Sequence, residues 1–194
     1  MLKKFAFTSF CLILVSILKA QSGEKSEPDK SRCSFTSINQ VGFVVGEAAD
    51  SYQLQTVNGV KYKTWMVGAG VGIDGYRYRS VPVFLQVRKE FSLSTYVFFL
   101  YNDIGLNYPW VKDSQKGVYY GNSQYSQGLY FDGGLGYRLP LKKQSLLFSG
   151  GFSLKEMKED RSMTTCPFVG PCVENKDVYQ YSLKRLSFKL GFQL

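Results

Sequence analysis

Four groups of residues in this sequence have types and spacings that could do chemistry. The first, Gly70-Val71-Gly72-Ile73-Asp74-Gly75, matches the GxGxxG pattern of a dinucleotide-binding turn. That chemistry needs the glycines to open a helix whose N-terminus faces a pyrophosphate. Here Tyr76-Arg77-Tyr78-Arg79 and a proline-containing run follow, so the glycines read better as spacers. The second is Ser149 and Ser153, oxygen nucleophiles that would need a base. The chain has no histidine, and Lys155 alone stands near them. No catalytic residue is assigned, and an enzyme is not expected.

The third group is cysteine. Without histidine or a CxxC pair a zinc site is not expected, and no cofactor or metal is assigned. Cys166 and Cys172 bracket Pro167-Phe168-Val169-Gly170-Pro171, a turn-rich spacing suited to a loop disulfide in an oxidising compartment. Cys33 is then the odd one out. The fourth group is charge: Arg88, Glu90, Asp103, Asp132, Arg138, Arg185 and Lys189 recur on one face of successive segments. Buried together they would have to pair, because an unpaired buried charge costs several kcal/mol. They read either as a salt-bridged plug or as the lining of a narrow path for ions or small solutes.

The elements that would position these residues are strands. Aromatic content is 16%, with 14 Tyr, 15 Phe and 19 Gly, a mixture that favours pleated structure over helix. From residue 34 onward the sequence alternates with period two in segments of about ten residues. At the end of the chain, Leu186, Phe188, Leu190, Phe192 and Leu194 share one face. Arg185, Ser187, Lys189, Gly191 and Gln193 share the other. Elsewhere too the second face is Gly, Tyr and charges of both signs. A water-facing side would carry Thr, Lys and Glu and few glycines, since glycine weakens a strand. A narrow, crowded polar interior does need glycine, and a bilayer would then solvate the apolar face. Eight antiparallel strands are expected, at 34–47, 51–61, 65–74, 82–91, 95–108, 127–139, 145–156 and 178–194. They would form an all-β transmembrane barrel over residues 34–194. Short connections at one end and long ones at the other fit periplasmic turns and extracellular loops, with both termini periplasmic. Tyr62 and Trp65 would stand at one membrane rim, and Tyr76, Tyr78, Tyr108 and Trp110 at the other.

Residues 1–20 read as a cleaved signal peptide: Lys3 and Lys4, a short apolar run from Phe5 to Leu18, then Ala20 before Gln21. The run is too short to span a bilayer, and Cys11 behind Phe10 lacks the small residue that precedes a lipid-attachment cysteine. Removing it takes the formal net charge from +9 to +6. The remaining charges are scattered, so nucleic acid is not an expected partner. Residues 21–33 form a polar lead-in. Two long connections remain as places for function. The first carries Trp110, Lys112, Lys116, Tyr119 and Tyr120, a mixture suited to glycan, protein or lipopolysaccharide headgroups. The second, 157–177, holds Glu159, Asp160, Glu174 and Asp177 just after Glu156. Calcium ligation is conceivable there, although the spacing matches no EF-hand loop.

Several runs carry a resemblance. They are Thr56-Val57-Asn58-Gly59-Val60-Lys61-Tyr62, Val67-Gly68-Ala69-Gly70-Val71-Gly72-Ile73-Asp74, Pro82-Val83-Phe84, Phe99-Leu100-Tyr101-Asn102-Asp103-Ile104-Gly105 and Ser187-Phe188-Lys189-Leu190-Gly191-Phe192-Gln193-Leu194. Together they resemble a small outer-membrane β-barrel family of Bacteroidota, similar more broadly to OmpA/OmpX-type eight-stranded barrels. The Ala20-Gln21 junction is typical of exported proteins in that group. The resemblance implies a fold and a Gram-negative outer membrane rather than an activity. It also implies outer-membrane lipids, lipopolysaccharide, the barrel-insertion machinery and other envelope proteins as partners. That machinery usually reads a terminal aromatic; here the chain ends in Leu194, with Phe192 and Phe188 behind it. The expected function is therefore a non-catalytic structural or interaction role. The alternatives are a narrow channel for ions or small solutes, or a soluble secreted barrel with its apolar face turned inward around a small apolar ligand.

Overall fold

A computed structural model describes residues 33–47, 50–111, 121–141, 144–168, 170 and 172–194. The expected signal peptide at 1–20, most of the expected lead-in, and Lys112, Lys116, Tyr119 and Tyr120 lie outside the described residues.

The described chain is antiparallel sheet, in nine segments: β1 (Ser34–Gly46), β2 (Asp50–Tyr62), β3 (Trp65–Asp74), β4 (Ser80–Leu93), β5 (Tyr96–Pro109), β6 (Gly121–Ser126), β7 (Gly128–Pro140), β8 (Ser145–Thr165) and β9 (Val173–Gln193). From β1 to β5 successive strands pair, β5 pairs with β7, β7 with β8 and β8 with β9, and β9 returns to β1, with Val41 opposite Leu190, which closes the sheet. Both β6 and β7 lie against β8. Ser126 faces Lys158 and Tyr130 faces Lys155, so the register slips by one and Gln127 is an inserted residue. The pair acts as one kinked strand, and the closed ring has eight positions.

The eight strands are where the alternation put them, with one correction. The connection expected over 157–177 is strand for most of its length. β8 and β9 continue as a hairpin from Glu156 opposite Ser182 to Thr165 opposite Val173. β6, inside the other expected loop, joins them. Above the ring, then, stands a three-stranded sheet, β6–β8–β9. Pairing of β9 with β1 ends at Arg185 opposite Gly46, so residues 173–184 have an open edge on that side among the described residues. Glu159, Asp160, Glu174 and Asp177 therefore sit on strands.

Period two now decides what faces inward. Leu85, Leu100, Leu135 and Phe188 point outward, each at least half exposed (61%, 50%, 58% and 56%). Arg88, Asp103, Asp132, Arg185 and Lys189 point inward and are buried. At the end with tight turns, Lys63 and Ser94 take left-handed φ of 53° and 57°, which lets two-residue connections reverse the chain. Tyr62, Trp65 and Tyr96 are exposed at this end, and Tyr52, Tyr108 and Trp110 at the other. Tyr76, expected among the latter, is 1% exposed and turned inward. It lies two residues beyond the inward Asp74 and keeps the same parity.

Candidate functional site

The interior of the ring is the site, and it is built in three tiers named from the long-connection end downward. In the upper tier Asp74, last residue of β3, faces across to Arg185 of β9 and Lys155 of β8. Arg185 Nη1 donates to Asp74 Oδ2, and its Nη2 donates to Ser153 Oγ at 2.8 Å. Lys155 Nζ lies 3.5 Å from Asp74 Oδ1 and donates at 2.9 Å to the carbonyls of both Tyr76 and Tyr78. The Tyr76 amide donates to Asp74 Oδ1 at 2.8 Å, and its ring lies against Arg185. That geometry turns Tyr76 inward. Ser153 and Lys155, the nucleophile and base considered above, are thus both engaged here.

The middle tier centres on Asp132 of β7. It accepts from Tyr101 Oη at 3.0 Å and Ser187 Oγ at 3.1 Å, and Lys189 Nζ stands 2.9 Å away. Lys189 also reaches Asp103 at 3.5 Å, and Gln86 donates to Asp103 at 2.7 Å. Gln53 and Gln55 donate to the Tyr130 hydroxyl at 2.6 and 2.7 Å. These bonds span strands far apart in sequence, so they lock the ring's register.

In the lower tier Glu90 of β4 accepts from Lys61 Nζ at 2.6 Å and from Arg138 Nη1 at 3.2 Å. Arg88, 2% exposed, lies with its guanidinium 4.2 Å above the Phe99 ring. An apolar cluster of Ile38, Val57, Met66, Phe84, Phe99 and Leu147 fills the space around the polar groups. Gly70 belongs to this packing: a Cβ there would fall 2.5 Å from Phe84 Cζ. The GxGxxG residues thus lie on strand β3 and serve an aromatic ring, with no helix following.

All seven interior charges expected from the sequence face the interior. Three more belong with them, Lys61, Asp74 and Lys155, each on the polar side of its strand's alternation and so legible by parity. The Cys166–Cys172 disulfide closes the tip of the β8–β9 hairpin, and Cys33 is exposed and unpaired. Among the described residues no three potential metal ligands converge. Glu174 pairs instead with Lys176 at 3.7 Å.

Above the ring a second cluster joins β6, β8 and β9. Glu159 accepts from Tyr181 at 2.8 Å, Tyr125 at 3.2 Å and Arg161 at 3.1 Å. Burial pushes its carboxyl up, but the bonds from Tyr181 and Arg161 outweigh that and hold it below the ordinary carboxylate value. Burial and the same carboxylate push the Tyr125 and Tyr181 hydroxyls up. Arg77 covers the Tyr181 ring at 4.4 Å, and Tyr78 packs on Tyr125 at 5.4 Å. Trp110, the described member of the expected loop contact, lies beneath Arg79 at 3.9 Å. No family model matches this chain, and no curated protein matches it.

Proposed function

We propose that the chain is a transmembrane β-barrel of a Gram-negative outer membrane, of the small OmpA/OmpX type. On this reading it is non-catalytic. Its interior is a plug, and its interaction element is the β6–β8–β9 sheet that stands beyond the membrane, with both chain termini in the periplasm. The observation that carries the reading is the inverted partition of side chains: charges paired inside, Leu, Val, Ile and Phe outside on every strand of the ring. In water such a surface would be a single large apolar belt, far beyond what a soluble protein exposes. In a bilayer it is the stable arrangement, because a closed sheet pairs its strands all the way round. The soluble alternative needs the opposite partition, with apolar side chains lining a cavity.

The dimensions agree. Tyr52 and Tyr62 are outward-facing and ten residues apart on β2. At about 3.3 Å per residue and a tilt of about 40°, they lie roughly 25 Å apart along the barrel axis, the height of an outer-membrane apolar band. Cations sit on aromatic rings at both rims, Lys89 on Trp65 at 4.8 Å and Arg79 on Trp110 at 3.9 Å. This suits a headgroup layer, lipopolysaccharide on the outer side. Above the band, the open edge of β9 offers unpaired backbone groups to an envelope partner.

The test is heat-modifiability. The full chain is expressed in a Gram-negative host, and outer membranes are run boiled and unboiled on a denaturing gel. A mobility shift in that fraction is expected. A product that stays in solution without detergent and shows no shift would overturn the reading.

A further inference from the structure

The interior charges do not balance evenly along the ring. In the upper and middle tiers Lys155, Arg185 and Lys189 face Asp74, Asp103 and Asp132, three against three. In the lower tier Lys61, Arg88 and Arg138 surround Glu90, three against one. The neighbours are fixed by register: Lys61 and Arg88 both flank Met66 of β3, and Glu90 faces Phe99, which faces Gly136, two residues from Arg138. Glu90 is shared between Lys61 and Arg138, and Arg88, set over the Phe99 ring, has Asp103 and Glu90 near enough to attract it but no carboxylate in salt-bridge contact among the described residues. Its Nε and Nη1, and Nε of Arg138, are buried donors with no hydrogen-bond partner among the described residues.

A buried guanidinium with unmet donors and no carboxylate in direct contact is costly, and a π face offsets only part of that cost. From this geometry we infer that the lower tier is a binding site for a small inorganic anion of chloride's size. Arg88 and Arg138 supply the N–H donors, and Lys61 supplies further positive charge. Glu90 limits the affinity, because it competes for the same cations. Entry is from the tight-turn end, where the Lys61 and Arg138 side chains are 18% and 22% exposed and the deeper tiers are sealed. The inference does not depend on the membrane assignment, since it rests on the interior of the ring alone.

The test uses the full chain refolded in neutral detergent micelles. The ³⁵Cl NMR line width is followed as chloride replaces gluconate at fixed ionic strength, and gel mobility confirms that each variant is folded. Saturable broadening is expected. Arg88→Gln should abolish it, and Lys63→Gln, on the outer side of the same end, should leave it unchanged. Glu90→Gln removes the competing carboxylate and should tighten binding at least threefold. Absence of saturable broadening, its persistence in Arg88→Gln, or its loss in Lys63→Gln would overturn the inference. Should Arg88→Gln not fold, Glu90→Gln decides, because unchanged or weaker binding there contradicts the site.

Discussion

Replacing Asp74 by Asn tests whether the interior is a set of paired charges that fixes the ring. The substitution keeps size and one acceptor but removes the carboxylate that, alone among the described residues, contacts Arg185 and Lys155, whose side chains, like that of Asp74, have no exposure. Breaking a buried pair from one side costs about 3–5 kcal/mol. Lys155 keeps its two carbonyl acceptors and Arg185 keeps Ser153, which places the expected loss at the low end, about 3 kcal/mol. With a urea slope of about 2 kcal/mol per M, the unfolding midpoint should fall by roughly 1.5 M. The assay is urea unfolding of the micelle-refolded chain, read by gel mobility and by the fluorescence of Trp65 and Trp110, one at each rim. The double variant Asp74→Asn/Arg185→Met removes one stranded cation and puts an apolar chain in its place. It should be more stable than the single variant by at least about 1 kcal/mol, within the range of couplings between touching residues. A single variant within about 0.5 kcal/mol of the parent, or a double variant less stable than the single, would refute the reasoning.

Four further outcomes are expected. Glu159 is held below its ordinary value of 4.5, so its stabilising contribution is full above that value and is lost as pH falls through the lower, folded value. The protection of β6 amides, measured relative to intrinsic exchange, should therefore fall as the pH drops below that ordinary value, and Glu159→Gln should remove that dependence. A Cβ on Gly136 would lie 2.5 Å from Phe99 Cε2 and 2.7 Å from the Phe148 carbonyl oxygen. Gly136→Ala should then cost about 1–3 kcal/mol in the same urea assay, whereas Gly133→Ala, whose nearest neighbours are the Phe131 ring at 3.3 Å and the Tyr101 carbonyl oxygen at 3.6 Å, should be tolerated. In intact cells an impermeant maleimide should label Thr164→Cys on the β8 extension and spare the exposed Cys33, and the reverse pattern would invert the orientation. Planar bilayers carrying the refolded chain should stay electrically silent, since eight strands leave an interior that side chains fill; stepwise conductance altered by Arg88→Ala would establish a solute path.

The ring was legible in the sequence because both of its faces are chemically distinct over its whole height. Val67, Ala69, Val71 and Ile73 against Gly68, Gly70, Gly72 and Asp74 leave no choice of side once period two is recognised. The β8–β9 extension was not legible, and the cause is physical. Beyond the apolar band neither face is apolar: Lys158, Asp160 and Ser162 alternate with Glu159, Arg161 and Met163, so the period-two hydrophobic signal disappears. β6 was hidden for the same reason. Tyr76 was misplaced through counting residue type instead of parity: it continues the inward series of Asp74. The lower tier shows a different limit. Parity turns Lys61, Arg88, Glu90 and Arg138 inward, but which cation Glu90 satisfies depends on reach across three strands, which no single strand's pattern encodes.

Stability alone does not require Arg88. Met66 stands opposite Arg88, and Ile38, Val57 and Phe84 continue the same cluster, all fully or almost fully buried, so apolar side chains fill the interior of the ring without difficulty. A methionine or leucine in place of Arg88 would extend that cluster onto the Phe99 face and remove a buried cation with two unmet donors, an exchange that is commonly neutral or stabilising. Higher in the ring the equivalent substitution would strand a carboxylate, because Arg185 answers Asp74 and Lys189 answers Asp103 and Asp132. The two ends of the interior therefore obey different logic. The upper and middle charges explain one another, whereas the lower ones are explained only together with something negative that enters between the strands. Arg88→Met should accordingly raise the urea midpoint in gluconate. In chloride that gain should shrink or reverse, because the parent alone collects the binding energy of the anion. An advantage for Arg88→Met of the same size in both salts would show that the lower tier is an unoccupied imperfection in the packing.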